Sequence, residues 1–265
     1  MANYAHLQVS IQEDIGIAMV RFNRPEKYNA MNMRMHYEIG RVWRDLDMDQ
    51  RVKVIIVTGN GAAFSAGGDT DMTLAMTNDA EIRRHVFEDA RTIVKEMIDC
   101  SKPIISAVNG AAVGAGMVVA VLADISIAAT TAVFGDGHTK IGVAAGDHAC
   151  AIWPQAMGLA KAKLYLLTGD NIPAPLAEKL GLVSEVVEKE RVLQRAQEIA
   201  TTLARGPQHA IRATKYSLNQ WLRQGLLTSM DASLGLEMLN FTEPDAKEGI
   251  TSFIEKRKPK FPSAL

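Results

Sequence analysis

His138 and Asp147 are the residues of this sequence whose types and spacing best suit acid–base chemistry. An imidazole titrates near neutral pH, so His138 is a candidate general base. Asp147, nine residues later, could orient that imidazole and stabilise its charged form, as the third group of a catalytic triad does. The spacing alone does not establish contact between the two side chains, but the pair predicts a site that moves protons.

Each candidate also has a purely structural interpretation. Gly146-Asp147 before an apolar helical segment is typical of a helix N-cap, and a cap residue can serve a site as well. His138 could be an ordinary polar loop residue, and we expect His148, one position beyond Asp147, to be structural. His36 and Glu237 lie on predicted amphipathic helices, where a lone polar side chain is more often exposed to solvent.

A strand, a glycine turn and a helix start precede these two residues. Ile104–Val108 is an apolar β-type segment, and Gly114-Ala115-Gly116 opens an apolar helix that ends before Asp124. The N–H groups at a helix N-terminus attract negative charge. The turn therefore predicts a place for an anion, which is either permanent or develops on a carbonyl oxygen during reaction.

The pattern of the whole chain is an alternation of strands and helices followed by helices alone. Alternating or continuous apolar residues predict strands at Leu7–Ile11, Ile15–Phe22, Val52–Thr58, Ile104–Val108, Asp124–Ala129 and Val183–Val187. An apolar period of 3.6 residues predicts helices from Asn32, at Asp79–Cys100, Asp147–Met157, Ala160–Leu167, Ala174–Leu180 and Arg191–Ala204. From Pro207 the pattern is helical almost to Lys256, with breaks near Gly225 and Pro244. We therefore expect an α/β core over residues 1–205 and a helical C-terminal region over residues 206–265.

Length and composition restrict the class of partner. With 265 residues the chain can build one large domain with an ample core. A net charge of −1 gives no reason to expect nucleic acid or a membrane surface as partner. No apolar segment suits a bilayer span and no signal peptide is evident, so the expected location is cytoplasmic. Cys100 and Cys150 have no metal-ligand spacing; we expect buried, reduced thiols and no metal.

The order of the motifs resembles the crotonase (enoyl-CoA hydratase/isomerase) superfamily. The central motifs are Lys102-Pro103, Asn109-Gly110, Gly114-Ala115-Gly116, Asp124-Ile125 and Phe134-Gly135. Further matches are Asn23-Arg24-Pro25, Asn29-Ala30, Thr58-Gly59, Phe64-Ser65-Ala66-Gly67-Gly68-Asp69, Leu167-Thr168-Gly169, Gly181-Leu182-Val183 and Glu248-Gly249. Each motif alone is weak, but the ordered set is specific and spans nearly the whole chain.

The resemblance implies a fold, an assembly and a substrate site. The fold is a spiral of ββα repeats whose C-terminal helices pack on neighbouring subunits, usually in a homotrimer or hexamer. By position, the backbone N–H groups of Gly68 and Ala115 form an oxyanion hole for a thioester oxygen that becomes an enolate oxygen. The substrate is an acyl-CoA, as in fatty acid metabolism, and coenzyme A enters only as part of it. The family positions that line the CoA moiety are here Arg24, Lys27, Ala66 and Asp69.

The sequence departs from the hydratases of this superfamily at both catalytic glutamates. Val118 and His138 occupy the two positions, so two carboxylates cannot position a water for syn addition to the double bond. A narrower resemblance is to the β-diketone hydrolase branch, typified by 6-oxocamphor hydrolase, which cleaves a C–C bond without CoA. The residues similar to that branch are His36, His138, Asp147 and Glu237, with Gly146 and Trp153-Pro154. That branch has a substrate-binding histidine where this chain has Ala115.

Three functions remain open at this level. The first is a lyase-like enoyl-CoA hydratase/isomerase-family enzyme with an atypical His138/Asp147 site. The second is a β-diketone hydrolase in which His138 activates water for a retro-Claisen cleavage. The third is a catalytically silent acyl-CoA-binding protein. Ala115 and the CoA-site loops favour the first, and the four polar residues favour the second.

Overall fold

A six-stranded sheet forms the centre of the molecule, which a computed structural model describes over residues 4–264. Its order is β1-β2-β3-β4-β6-β9, with β1 antiparallel to β2 and every other neighbouring pair parallel. The strands are β1 (Leu7–Gln12), β2 (Ile17–Phe22), β3 (Val54–Gly59), β4 (Ile104–Val108), β6 (Ile125–Ala129) and β9 (Glu185–Val187). Every residue of β3 and β4 is buried, as expected for central parallel strands covered on both faces.

A smaller sheet of three strands lies beside the glycine turn. It consists of β5 (Ala112–Val113), β7 (Val133–Gly135) and β8 (Ile172–Pro173), in the order β5-β7-β8. The two-residue strands β5 and β8 were not expected, because two residues are too few for any periodicity. Ala112 pairs with Phe134, so the chain that enters the glycine turn runs beside the chain that leads to His138.

Helices cover the main sheet. They are α1 (Met33–Met48), α2 (Thr70–Met76), α3 (Ala80–Asp99), α4 (Ala115–Leu122), α5 (Ala149–Met157), α6 (Leu159–Thr168), α7 (Ala174–Leu180) and α8 (Val192–Arg205). In α1, Asn32 accepts a hydrogen bond from the Met35 N–H, which caps the helix, and the predicted apolar face is buried. The expected α/β core is thus confirmed.

Two buried lysines tie helices to the sheet. Lys102 donates from Nζ to the carbonyls of Leu46 and Asp49, both at 2.6 Å, at the C-terminal end of α1. Lys215 Nζ lies 2.7 Å from Asp124 Oδ2, which also accepts from the Ile104 N–H. Both ammonium groups have fixed acceptors. The two lysines therefore hold helices against the sheet and are not candidates for a functional site.

The C-terminal helices return to the body of the chain. They are α9 (Gln208–Gly225), a π-helical turn (Leu226–Met230), α10 (Asp231–Asn240) and α11 (Pro244–Ile254). The expected breaks near Gly225 and Pro244 fall at the π turn and at the start of α11. Within this one chain, α10 contacts α3 and α11 contacts α2. The expected boundary at residue 205 and the packing on neighbouring subunits stay predictions.

Two details differ from expectation. Helix α2 was not expected: it follows Asp69, whose side chain accepts from the Asp71 N–H, and it has only seven residues, too few for a clear helical period. Cys100 is buried as expected, but Cys150 is exposed, and both thiols are free. Across residues 4–264, no helix has the length and hydrophobicity to cross a bilayer.

Candidate active site

A cavity of about 440 Å³ lies between the glycine turn and the C-terminal helices. Its lining includes His36, His138, Asp147 and Glu237, which come from three separate parts of the sequence. Gly68 and Ala115 line it as well. Candidate residues from α1, α10 and the loops between them therefore share one space. A cavity of this size with a few convergent polar groups is the usual form of a small-molecule site.

Two glycines with positive φ shape the side of the cavity that contains Gly68 and Ala115. Gly67 has φ +93° and Gly114 has φ +49°, a region that favours glycine. A Cβ on Gly67 would lie 2.9 Å from the Val113 carbonyl oxygen and 3.7 Å from Gly114 Cα. The two turns therefore contact each other through residues that have no side chain.

The N–H groups that follow these glycines are free. The Gly114 N–H donates to the Gly135 carbonyl and the Asp69 N–H donates to the Met31 carbonyl. The neighbouring N–H groups of Gly68 and Ala115, in the cavity wall, have no acceptor among residues 4–264. Ala115 is the first residue of α4, where the helix dipole favours negative charge. Two backbone donors without acceptors in one cavity wall are the groups from which an oxyanion hole is built.

Asp136 is the carboxylate that contacts the His138 ring at Nδ1, where we expected Asp147. Asp136 Oδ1 lies 2.8 Å from His138 Nδ1 and also accepts from the His138 N–H. Burial lowers the pKa of His138, but the charges of Asp136, Glu237 and Asp147 outweigh it and raise the pKa well above its ordinary value. The resting imidazole is therefore protonated at neutral pH, which suits an acid better than the general base expected from the sequence.

Glu237 faces the other side of the same ring. Its Oε1 lies 3.7 Å from His138 Nε2, and its Oε2 has no hydrogen-bond partner among the described residues. Burial, together with the charges of Asp147 and Asp136, raises the pKa of Glu237 to about 8 against the opposing effect of His138. The two ionisations are therefore linked, because each charged group stabilises the charged form of the other. Once ionised, Glu237 is a stronger base than an ordinary carboxylate.

Helix α10 reaches this position because Gly146 has no side chain. A Cβ there would lie 2.5 Å from the Ser233 carbonyl oxygen and 2.6 Å from Glu237 Cβ. Ser233 Oγ donates to the Gly146 carbonyl at 2.9 Å. The close approach of this loop to α10 brings Glu237 beside His138 and next to Asp147.

Asp147 does not cap α5. Its Oδ1 lies 2.7 Å from His148 Nδ1, and α5 begins after His148 without a side-chain cap. Burial raises the pKa of Asp147, but contact with His148 and the charge of His138 outweigh burial and lower the pKa. Asp147 is therefore a fixed negative charge in the cavity wall. His148 does not line the cavity, in agreement with the structural role expected from the sequence.

His36 is a buried residue of the cavity rather than a solvent-exposed one. Its side chain belongs to α1, and its Nδ1 has no partner among the described residues. Burial lowers the pKa of His36 although Asp89 and Asp147 oppose the shift. At neutral pH the ring is uncharged and can donate or accept one hydrogen bond to a ligand.

The four residues expected along the CoA moiety differ in their surroundings. Arg24 donates to the Ala30 carbonyl and to Asp69 Oδ2 at 2.9 Å, so this pair holds the loop before α2. Ala66 lines the cavity. Lys27 does not line it, and its exposed side chain lies at the end of a short 3₁₀ helix. Lys27 is the residue of the four whose charge is free for a phosphate, and Arg24 has a structural partner already.

The opposite wall of the cavity is apolar. It consists of Met72, Met76, Val86, Phe241, Ile250 and Phe253. Most of these side chains form a cluster separate from the main core, between α2, α3 and α11. Val118, at the position of one hydratase glutamate, is buried in the main core and does not line the cavity. The wall suits an apolar chain or ring.

A metal ion could be held only at the cost of the hydrogen bonds just described. Among residues 4–264, one group offers three candidate ligand atoms within 4.8 Å of one another: Asp136, His138 and Asp147. His138 Nδ1 shares a proton with Asp136 there. A metal ion on that nitrogen would have to replace the proton.

Sequence analysis did not identify Asp136 or the apolar wall. Gly135-Asp136-Gly137 looks like an ordinary turn, and its one signal is that Asp136 lies two residues before a candidate histidine. The wall residues come from two distant parts of the sequence, α2–α3 and the end of α10 with α11, so no local pattern connects them.

Comparison with known proteins gives consistent results over the whole chain. The sequence profile described as enoyl-CoA hydratase/isomerase matches residues 12–264. A probable enoyl-CoA hydratase of Mycobacterium leprae is 34% identical over 245 residues, which cover 92% of this chain and 94% of that protein.

Two solved structures extend the comparison. An enoyl-CoA hydratase/isomerase of Mycobacterium paratuberculosis superposes with a TM-score of 0.91 at 33% identity, covering 95% of this chain and 100% of that one. A β-diketone hydrolase of the cyanobacterium Anabaena, solved with (S)-3-oxocyclohexyl acetic acid, has a TM-score of 0.83 at 30% identity, covering 90% and 95%. The fold alone therefore does not separate the two chemistries.

Proposed function

Because the chain belongs to the enoyl-CoA hydratase/isomerase family, we propose that it acts on an acyl-CoA thioester and forms an enolate next to the thioester carbonyl. The observation that carries this proposal is the pair of free N–H groups, on Gly68 and Ala115, at one wall of the cavity that contains His138 and Glu237. The thioester oxygen binds between the two N–H groups. Each such donor contributes about 3 kcal/mol to the transition state.

Glu237 is the proposed base and His138 its proton partner. Once ionised, Glu237 removes a proton from the carbon next to the thioester carbonyl, and the electrons move to the carbonyl oxygen in the oxyanion hole. Protonated His138, 3.7 Å from Glu237, stabilises the carboxylate and returns a proton to the substrate. The negative charge of Asp147 stabilises the protonated forms of Glu237 and His138 before the substrate binds. Proton transfer between two carbons of the acyl chain needs no second carboxylate, unlike addition of water.

Deuterium exchange tests this proposal directly. Butyryl-CoA in D₂O should lose its α-proton signal in the NMR spectrum, and Glu237→Gln should abolish the exchange. Calorimetry with CoA and with butyryl-CoA measures binding separately. Lys27→Ala should weaken binding of both ligands about tenfold through loss of a phosphate contact, whereas Lys161→Ala, at an exposed position on α6, should not. Binding without exchange would favour a silent acyl-CoA-binding protein.

A second candidate is hydrolysis of a small β-diketone. The presence of His36, His138, Asp147 and Glu237 in one cavity supports it. In that reaction a base activates the water that attacks one ketone, the C–C bond breaks, and the enolate oxygen occupies the same oxyanion hole. Turnover of a cyclic 1,3-diketone without any binding of CoA would favour this candidate over the first.

A further inference from the structure

A buried chain of hydrogen bonds leads from the core to the cavity through α5. Trp153 Nε1 lies 3.2 Å from His148 Nε2, and His148 Nδ1 lies 2.7 Å from Asp147 Oδ1. Trp153 and His148 are both fully buried, with rings packed edge to face at 6.3 Å. Asp147, at the end of the chain, lines the cavity. Neither Trp153 nor His148 does so.

The chemistry of the indole fixes the protonation of the imidazole. An indole N–H can only donate a hydrogen bond, so His148 Nε2 must carry a lone pair. The proton of the neutral ring is then on Nδ1, from which it is donated to Asp147. Asp147 Oδ1, which accepts this bond, cannot itself carry a proton, and an ionised carboxylate accepts the bond more strongly than the carbonyl oxygen of a neutral carboxyl group does. The arrangement therefore favours an ionised Asp147 with one oxygen occupied.

The backbone makes this arrangement rigid. His148 precedes the first residue of α5, and Trp153 lies within the same helix. The indole is enclosed by the main core, so the imidazole is held between a fixed donor and a fixed acceptor. Asp147 cannot turn away from the cavity without breaking a buried hydrogen bond, which leaves a buried polar group without a partner.

Several titratable groups on other elements face Asp147 and interact with its charge. They are His36 of α1, Asp136 and His138 of the loop after β7, and Glu237 of α10, with Cys150 on α5 itself. The charge of Asp147 raises the pKa of both His138 and Glu237. Neutralising Asp147 would therefore release protons from the two groups that carry the proposed chemistry.

We propose that Trp153 and His148 are positioning residues, which hold Asp147 as a carboxylate in the cavity and so control how firmly Glu237 and His138 hold their protons. The inference rests on the proposed function for the role of Glu237. The hydrogen-bonded chain itself does not depend on the identity of the substrate.

The first test is spectroscopic and needs no ligand. In ¹⁵N-labelled protein at pH 7, His148 should show a protonated Nδ1 and an unprotonated Nε2. Trp153→Phe removes the donor, and the His148 signals should then change to those of a mixture of tautomers. A protonated Nε2 in the unaltered protein would overturn the inference, and so would a His148 spectrum that Trp153→Phe leaves unchanged.

The second test compares two substitutions of His148. Asparagine places an N–H near the position of Nδ1, so His148→Asn should keep the bond to Asp147, whereas His148→Leu removes it. In His148→Leu the midpoint of Glu237 ionisation should fall by about one pH unit or more as Asp147 takes up a proton. His148→Asn should keep the original midpoint. Equal midpoints in both variants would show that His148 is only structural.

The midpoint can be measured in two independent ways. The pH dependence of deuterium exchange reports it if the protein acts on acyl-CoA, with kcat expected to change more than KM. The carboxyl signal of ¹³C-labelled Glu237 reports it in the free protein. If the protein does not act on acyl-CoA, the exchange measurement is lost but the ¹³C measurement remains. The role of His148 can therefore be tested even if the proposed function is wrong.

Discussion

His138 shares a proton with Asp136, two residues earlier in the same turn, with 2.8 Å between Nδ1 and Oδ1. This contact changes the role of the histidine. A lone loop histidine would be a base near neutral pH, but one held by a buried carboxylate keeps its proton. The base must then be a different residue, and Glu237 is the group beside it whose pKa is raised to about 8.

Removing the Asp136 charge should weaken the hold of His138 on its proton. In Asp136→Asn the amide oxygen still accepts from the ring, but the negative charge is gone. We expect the pKa of His138 to fall by about one unit or more. The Cε1–H signal of His138 across a pH titration measures this change. An unaltered midpoint would mean that Glu237 and Asp147 alone hold the proton.

The rate of substrate deuteration should follow the ionisation of Glu237. The carboxyl group must lose its proton to act as base, so exchange should rise with pH through about 8. Glu237→Gln should lower exchange by about 10²–10⁴-fold, the usual contribution of a general base. A rate that is already maximal at pH 6 would contradict this assignment.

The same substitution should stabilise the fold at alkaline pH. The pKa of Glu237 is raised in the folded state, so its contribution to stability is fully present below the unfolded pKa of about 4.5 and is lost as pH rises through about 8. Each unit of raised pKa corresponds to about 1.4 kcal/mol. Glu237→Gln removes the titration, so its free energy of unfolding relative to the unaltered protein should increase from pH 5 to pH 9. Urea unfolding at several pH values measures the difference. A constant difference would contradict the raised pKa.

The proposed oxyanion hole should depend on Gly114 more than on another glycine with similar strain. Gly114→Ala forces a side chain at φ +49° and displaces the Ala115 N–H, so kcat should fall about 10²-fold. Gly158 has φ +80° and does not line the cavity. A Cβ at this position would have no other atom within 4 Å. Gly158→Ala should cost about 1 kcal/mol of stability and leave kcat unchanged. Equal losses of activity would point to general destabilisation.

The apolar wall should select the length of the acyl chain. Met72 lines the cavity, so Met72→Ala enlarges it and should lower KM for longer acyl-CoA substrates relative to butyryl-CoA. Met97 is buried in the main core and does not line the cavity. Met97→Ala should lower the free energy of unfolding by about 2–5 kcal/mol without changing chain-length preference. If both variants keep the original preference, the acyl chain lies elsewhere.

The elements that position the site were largely predictable, because strong periodicity determines them. Ile104–Val108 and Ala174–Leu180 have the expected bounds, and the buried face of α1 follows its apolar period. Helix α2 was missed because it is short and its start depends on one local hydrogen bond, which the side chain of Asp69 accepts.

The protonation of the site could not be read from the sequence. It depends on which carboxylate contacts which ring nitrogen, and Asp136 and Asp147 are equally plausible partners for His138 by spacing. Gly146 decides how closely Glu237 approaches, and its effect involves a helix that is distant in sequence, from which Ser233 Oγ donates to the Gly146 carbonyl at 2.9 Å. Such contacts exist only after the chain has folded.

The π-helical turn Leu226–Met230 determines which side of α10 faces the cavity. A π turn contains one residue more than the α-helical turn it replaces, and each residue rotates an α-helix by about 100°. Deleting one residue there would let α9 continue regularly into α10, and Glu237 would point away from His138 with no substitution in either. The one extra residue of this turn therefore sets the rotation of α10 and, through it, the side of the helix on which Glu237 lies.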